Sequence, residues 1–103
     1  MSSPSYATKV DPEVRVLIRG WLLTRAERIS LWAHLLFDLS ANPDRLLHQA
    51  VRRPNVWEYR FALGKSPSRR FFAFVVERRD YSGELLVLEG NLTLEEDSSP
   101  PSP

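Results

Sequence analysis

The sequence predicts an α+β domain, because a pair of helix-like segments is followed by three strand-like runs. The runs are rich in aromatic and branched side chains and cover residues 56–63, 70–78 and 84–92. Turn-forming stretches separate them, namely Gly-Lys-Ser-Pro-Ser at 64–68 and Asp-Tyr-Ser-Gly at 80–83. This pattern is typical of a three-stranded antiparallel meander, which is marginal in water unless its apolar face is covered. The upstream helices are the candidate cover.

The N-terminal part predicts a short strand and then a helix. Residues 6–10 alternate enough to form a strand that pairs with the meander, and Asp11-Pro12 follows as a helix start. Aspartate is a favourable N-cap, and proline at the first helical position gives up no needed hydrogen bond. Helical spacing then predicts one buried apolar stripe, formed by Val14, Leu17, Ile18, Trp21 and Leu22.

A second helix is predicted from about Arg25 to Leu39. It starts with a capping box, in which Thr24 and Glu27 each satisfy a backbone N–H of the other. The spacing predicts that its buried face comprises Ile29, Trp32, Leu35, Leu36 and Leu39. The connection between the two helices is very short, so we expect an antiparallel helical hairpin that ends at Asn42-Pro43, and then a short third helix over residues 44–51.

The strand runs differ in which faces they bury. Residues 56–63 alternate, with Trp57, Tyr59, Phe61 and Leu63 on the predicted core face and Val56, Glu58, Arg60 and Ala62 on a partly wet face. The run 70–78 is apolar on both faces and is therefore predicted to be the central strand. We expect a flexible N-terminus at 1–5, a single domain at 6–94 and a disordered, acidic, Pro/Ser-rich tail at 95–103.

Composition narrows the classes of function. The 103 residues include no cysteine and only two histidines, His34 and His48, which excludes disulfides and cysteine-ligated zinc and gives no metal-ligand spacing. We expect no small-molecule cofactor. No apolar run is long enough to span a bilayer, and the N-terminus lacks a signal-peptide pattern, so we expect a soluble cytoplasmic protein without a membrane partner.

Basic residues are concentrated in the middle of the chain. The net charge is only +1, but residues 45–79 contain nine of the fourteen basic residues against two acidic ones, Glu58 and Glu77. Arginine dominates, and its planar fork suits bidentate contact with phosphate or carboxylate. The pattern is equally compatible with a polyanionic partner, an acidic protein partner or a solvated charged face.

The order of the elements and several phrases resemble the RelE/ParE-type toxin superfamily of bacterial toxin–antitoxin systems. After the strand at 6–10 and the helical pair, these phrases are Leu39-Ser-Ala-Asn-Pro43, Trp57-Glu-Tyr-Arg-Phe61, Arg70-Phe-Phe-Ala-Phe74 and Leu85-Leu-Val-Leu-Glu-Gly90. The resemblance implies a compact β-α-α-β-β-β toxin that an antitoxin protein neutralises. In this superfamily the RelE branch cleaves mRNA on the ribosome, whereas the ParE branch poisons DNA gyrase.

The resemblance also implies site residues. Arg60 and Arg70 match basic positions of family nucleases, and Glu58 is placed to act as a base or to orient an arginine. We expect Arg60 and Arg70 to project together from the sheet as catalytic residues with Glu58. The RNA-binding candidates are Arg52, Arg53, Lys65 and Arg69. Arg60 and Arg70 are equally explained as cross-strand partners of Glu58 and Glu77.

The C-terminal end departs from the family pattern. Active members continue past the last strand with lysine and arginine, whereas this chain reads Asn91-Leu-Thr-Leu-Glu-Glu-Asp97. The chain is therefore a candidate endoribonuclease with an incomplete basic site. Two alternatives follow: a non-nuclease relative, such as a gyrase-directed toxin or a degenerate member, and a plain protein-binding module that accepts a partner at the sheet edge or the helices.

Overall fold

A computed structural model describes residues 6–49, 56–66 and 68–95 of the chain. The strands are β1 (Ala7–Val10), β2 (His48–Gln49), β3 (Val56–Leu63), β4 (Arg70–Arg79) and β5 (Glu84–Leu94). The helices are α1 (Pro12–Gly20) and α2 (Arg25–Ala33), and α2 continues through a π-helical segment (His34–Asp38) into a last turn (Leu39–Ala41). A separate helical turn follows at Pro43–Leu46. The predicted α+β class is confirmed.

The strands form one sheet in the order β1-β5-β4-β3-β2. β4 lies at the centre, as its apolar character on both faces predicts. β3, β4 and β5 are successive antiparallel neighbours, and β1 pairs in parallel with β5. The sheet has five strands because β2, which was not predicted, pairs with β3.

β2 replaces part of the predicted third helix. Helical geometry stops after one turn, and Leu47 is extended with φ −88° and ψ 135°. This conformation buries the Leu47 side chain in the core, where it is 4% exposed, and lets His48 pair with Glu58 on β3. The helix predicted over 44–51 is therefore confirmed at residues 44–46 and wrong at residues 47–49, because burial of one leucine outweighs local helix propensity. Residues 50 and 51 lie outside the described part.

The predicted helix starts are confirmed. The Asp11 side chain accepts a hydrogen bond from the backbone N–H of Glu13 at 2.9 Å, and both bonds of the Thr24–Glu27 capping box are present. Arg28 joins the two helices, because its guanidinium donates to the carbonyl oxygens of Ile18 at 3.0 Å and Trp21 at 2.6 Å. These carbonyls lie at the C-terminal end of α1, where the Ile18 carbonyl also accepts the Trp21 N–H at 3.1 Å, so Arg28 adds donors at this helix end.

The helices bury a narrower stripe than the spacing predicts. α2 and its continuation bury Leu31, Leu35 and Leu39 completely. Ile29 is exposed, because it projects from the opposite side of α2 from Leu31. Leu22 is also exposed, since α1 ends at Gly20 and Leu22 is no longer in helical phase. The predicted burial of Ile29, Leu22 and Leu17 is therefore wrong.

The core lies between the helices and one face of the sheet. The fully buried sheet side chains that meet the helices include Phe72, Phe74, Val76, Leu85 and Val87. Trp21, just past α1, packs on Phe72 and Phe74 with ring centroids 5.8 and 6.1 Å away. Among the residues that the structure describes, no helix has the length and apolar character needed to cross a membrane.

Candidate functional site: the open face of the sheet

The helices cover one face of the sheet, and no described element covers the other. Because side chains alternate along a strand, neighbours in sequence have opposite environments. Phe72 is 1% exposed on the covered face, whereas Phe71 is 40% exposed on the other. We call the second surface the open face; around its centre it comprises Glu58, Arg60, Ala62, Phe71, Ala73, Val75, Glu89, Asn91 and Thr93.

A shallow hollow of about 550 Å³ lies on the open face. The strand register explains it, because Ala62 lies opposite Phe71 and Ala73 lies opposite Arg60. Each large side chain therefore faces an alanine on the neighbouring strand, and the small methyl groups leave the space unfilled. Asn91 and Thr93 of β5 supply the polar wall of the hollow.

Arg60 and Glu58 lie on this face as the strand alternation predicts. The Arg60 Nε donates a hydrogen bond to the Glu58 carboxylate, and 72% of the Arg60 side chain is exposed. An exposed pair of this kind contributes at most about 1 kcal/mol to stability. The Glu58–Arg60 pair therefore contributes little to stability and remains accessible to a ligand.

Arg69 adds a second cation at the same end of the sheet. Its guanidinium carbon lies 6.0 Å from the centroid of the Phe71 ring, within the range of a cation–π contact. Lys65 is exposed in the β3–β4 turn, where its carbonyl oxygen accepts the Ser68 N–H at 2.9 Å. Gly64 opens that turn with φ +88°, a conformation that favours glycine.

Arg70 lies on the opposite face of the sheet from Arg60. Arg60 pairs with Ala73, and Arg70 is three residues from Ala73 along β4, an odd number that reverses the face. The Arg70 guanidinium instead forms an ion pair with Glu27 of α2. The prediction that Arg60 and Arg70 project together is wrong, and the trio of Glu58, Arg60 and Arg70 is not assembled.

Glu27 therefore has two structural partners. It accepts the Thr24 backbone N–H at 2.8 Å with one oxygen and binds Arg70 with the other. The hydrogen bond from Thr24 and then the bond from Arg70 lower the pKa of the Glu27 carboxyl below its usual value. Arg70 is thus a link between the sheet and α2 rather than a free phosphate ligand.

The other sequence-predicted residues fall outside this arrangement. Arg52 and Arg53 lie outside the described residues. Glu77, the alternative partner of Arg70, is 3.1 Å from Arg79 instead. In the described ranges, no group of three His, Cys, Asp or Glu side chains could hold a metal ion.

A second polar cluster lies under the helices. His34 Nδ1 is 3.0 Å from a carboxylate oxygen of Asp38 and 3.3 Å from the Tyr59 hydroxyl, and its ring stacks on Phe61 at 4.4 Å. Burial, and then the charge of Asp38, raise the pKa of Tyr59 to about 12. Tyr59 is only 2% exposed, whereas 55% of the Asp38 side chain is exposed, so this cluster runs from the core to the surface and joins the π-helical segment to β3.

Phe71 is the site residue that the sequence argument missed. Its strand is apolar on both faces, so the pattern predicts burial on both sides. The signal that distinguishes Phe71 is its register with Ala62, which depends on the length of the β3–β4 turn. That register cannot be read from β4 alone.

Comparison of the sequence with models of known protein families, and with curated proteins, finds no match for this chain.

Proposed function

We propose that this chain is a RelE/ParE-type toxin component that acts on translation by binding ribosome-associated mRNA on the open face of its sheet. One observation carries the proposal: Phe71 lies exposed beside the hollow, with Arg69 against its ring and Arg60 across the neighbouring strand. The order of strand, helices and successive antiparallel strands supports the resemblance to that superfamily.

The open face has the side chains that single-stranded RNA uses. Unstacked bases bind by stacking on aromatic rings, and arginines bind the phosphates between them. The Phe71 ring offers one stacking surface, and the Asn91 amide and Thr93 hydroxyl next to it offer hydrogen bonds to a base edge. A hollow of about 550 Å³ accommodates a splayed base.

The two arginines are spaced for binding along a strand. Arg69 lies four residues before Ala73, the cross-strand partner of Arg60, so their Cα atoms are separated by roughly 13 Å along the strands. Arginines this far apart suit different phosphates of an extended chain. The Arg60 Nε is engaged by Glu58, which leaves its terminal N–H groups to face a phosphate.

Binding is better supported than cleavage. RNA cleavage requires a base at the ribose 2′-hydroxyl and cations that converge on one phosphate. Glu58 and Arg60 supply one acid and one cation on the open face, but Arg70 is held by Glu27 on the other face. We therefore propose that the chain binds the mRNA and blocks translation without cleaving the RNA.

The test is a titration of fluorescein-labelled single-stranded RNA, followed by fluorescence anisotropy at low salt. Loss of one stacked base costs roughly 1–3 kcal/mol, so Phe71→Ala should weaken binding about 5-fold to 150-fold. Phe37→Ala is the matched control, since Phe37 is a 71% exposed phenylalanine on the helical side of the molecule. Arg60→Ala should also weaken binding, whereas Arg25→Ala removes the same charge from α2 and should not.

Growth provides the functional arm of the test. Induced expression of the wild type should arrest growth, and Arg60→Ala should relieve the arrest without loss of folded protein. An antitoxin protein is the partner that a toxin implies, and its co-expression should also relieve the arrest. Wild-type protein that binds no RNA and leaves growth unchanged would refute the proposal.

A plain protein-binding module is the second candidate. It is favoured by five exposed apolar side chains on the described helices and the link between them, namely Val16, Leu17, Leu22, Ile29 and Phe37. This candidate makes the opposite prediction, since Phe37→Ala would then impair function and Phe71→Ala would not.

A further inference from the structure

The outer edge of β5 is paired along only part of its length. β1 pairs with β5 as far as Val10 opposite Val87, and the chain then leaves the sheet as the Asp11 N–H donates to the Val87 carbonyl at 3.0 Å. β5 continues for seven more residues, to Leu94. Within the described residues, only β4 pairs with this continuation. We call residues 88–94 the free edge.

The hydrogen-bond pattern shows which backbone groups the free edge presents. The Glu95 N–H donates to the Arg69 carbonyl at 2.8 Å, so residues 95, 93 and 91 direct their groups toward β4. Bonding alternates along an antiparallel strand. Gly90, Leu92 and Leu94 therefore direct their N–H and C=O groups outward.

The free edge begins at a β-bulge, because Leu88 is an extra residue between Val87 and Glu89, which pair with Val76 and Val75. Beyond the bulge, the free edge lacks the other features by which edge strands avoid pairing. It contains no proline and no lysine, and its only charged residue is Glu89. Leu88 and Leu94, at its two ends, are 40% and 60% exposed. An extended edge with apolar ends and outward backbone groups is a site for a further strand.

We propose that the occupant is the free edge of a second copy of this chain, paired antiparallel about Asn91. Outward groups must face each other, so even-numbered residues pair with even-numbered residues across the two copies. When Asn91 lies opposite Asn91 of the second copy, Gly90 faces Leu92 and Glu89 faces Thr93. Regular pairing then covers residues 89–93 of each copy, because the bulge at Leu88 interrupts the alternation.

Charge selects this register over its neighbour. Centred on Asn91, the edge places Glu89 opposite Thr93 of the second copy. Centred on Leu92 instead, the edge would place Glu89 opposite Glu95, and like charges directly opposite are destabilising. Two copies therefore join β5 to β5, and their open faces form one continuous surface on the same side of a ten-stranded sheet.

Cysteine cross-linking tests the register directly, because the chain has no cysteine of its own. Asn91→Cys places two thiols opposite each other in a non-hydrogen-bonded pair, where Cβ atoms are roughly 4.5–5.5 Å apart. Mild oxidation should therefore convert Asn91→Cys to a covalent dimer. Thr93→Cys is the matched control on the same strand face, since its two thiols lie four residues apart, roughly 13 Å along the strand.

Matched charges test the same edge without oxidation. By sedimentation, the wild type should be a dimer whose dissociation constant rises about five-fold in Asn91→Lys, because two lysines then face each other. Thr93→Lys adds the same charge opposite Glu89 and should leave the dimer as tight or tighter. Circular dichroism confirms that both variants are folded.

Two results would overturn the inference. If the wild type stays monomeric at all accessible concentrations, two copies do not pair, and the free edge would instead accept a strand from another protein. A dimer that cross-links equally through positions 91 and 93, and responds equally to the two lysines, would be held by a different surface.

Discussion

The two faces of the sheet differ in whether the helices cover them, and their side chains differ in exposure accordingly. On the covered face Phe72 and Phe74 are at most 1% exposed and contact Trp21, whereas on the open face Phe71 is 40% exposed and contacts Arg69. Three phenylalanines within four residues therefore have different roles, two in the core and one at the candidate site. Strand parity alone separates them.

The same parity separates the arginines. Arg60 on the open face keeps 72% of its side chain exposed, while Arg70 on the covered face keeps 25% and is bound to Glu27. Residue type and proximity in sequence therefore do not identify a site in a sheet. An arginine on the open face is accessible to a ligand, whereas an arginine on the covered face contacts a helix.

The largest expected effect comes from truncating the covered face. Phe74→Ala should lower the free energy of unfolding by about 3–5 kcal/mol, because it leaves a cavity among fully buried side chains. Phe71→Ala, the matched change on the open face, should cost less than about 1 kcal/mol. Urea denaturation measures both. Equal losses would show that the open face is covered in solution.

A smaller effect is expected where the covered face has no room for a side chain. A Cβ added at Gly90 would lie 2.8 Å from Phe74 Cε1 and 3.0 Å from its Cδ1. Gly90→Ala should therefore lower the free energy of unfolding by about 1–3 kcal/mol through overpacking.

Gly20→Ala is the control for that substitution. A Cβ at Gly20 meets nothing within 4 Å, and the residue ends α1, so alanine should stabilise the protein by up to about 1 kcal/mol. The same denaturation experiment compares the two variants. Gly90→Ala at least as stable as the wild type would show that Phe74 moves aside without cost.

The part of the fold that the sequence predicts is the part with local signals. The Asp11 cap, the Thr24–Glu27 capping box and the central position of β4 all follow from short patterns, and the structure confirms them. β2 was missed because tertiary packing decides it, and Ile29 was predicted to be buried because the apolar stripe of α2 was placed on its side of the helix rather than on that of Leu31. The burial of Leu47 ends a helix that local propensity would continue, and no local pattern reveals that packing.

The candidate site was predicted in part for the same reason. Alternation along β3 places Glu58 and Arg60 together on one face, as the structure shows. The position of Arg70 depends on the register between β3 and β4, which the intervening turn sets. A shift of one residue reverses every face, so an assignment across two strands cannot be made from spacing within each.

The Glu27–Arg70 pair gives an intermediate effect that depends on pH. Because the folded-state pKa of Glu27 is lowered from 4.5, the ionised carboxylate stabilises the native state above that pH. This stability is lost as the pH falls through the lower, folded-state value. Glu27→Gln should therefore cost about 1–2 kcal/mol at neutral pH, and the difference from wild type should shrink below pH 4.5. Urea denaturation across that pH range would detect it, and a constant difference would contradict the ion pair.

The smallest expected effect on stability belongs to Arg60, and it sharpens the contrast between the faces. Arg60→Ala should change the free energy of unfolding by less than about 0.5 kcal/mol, because its pair with Glu58 is exposed and screened by solvent. Arg70→Ala removes the same charge but leaves Glu27 without its cation, so it should cost more, about 1–3 kcal/mol. The order should reverse for RNA affinity, where Arg60→Ala should be the more damaging variant. If Arg70→Ala is the more damaging variant for stability and Arg60→Ala the more damaging one for RNA affinity, then the arginine on the covered face serves folding and the arginine on the open face serves binding.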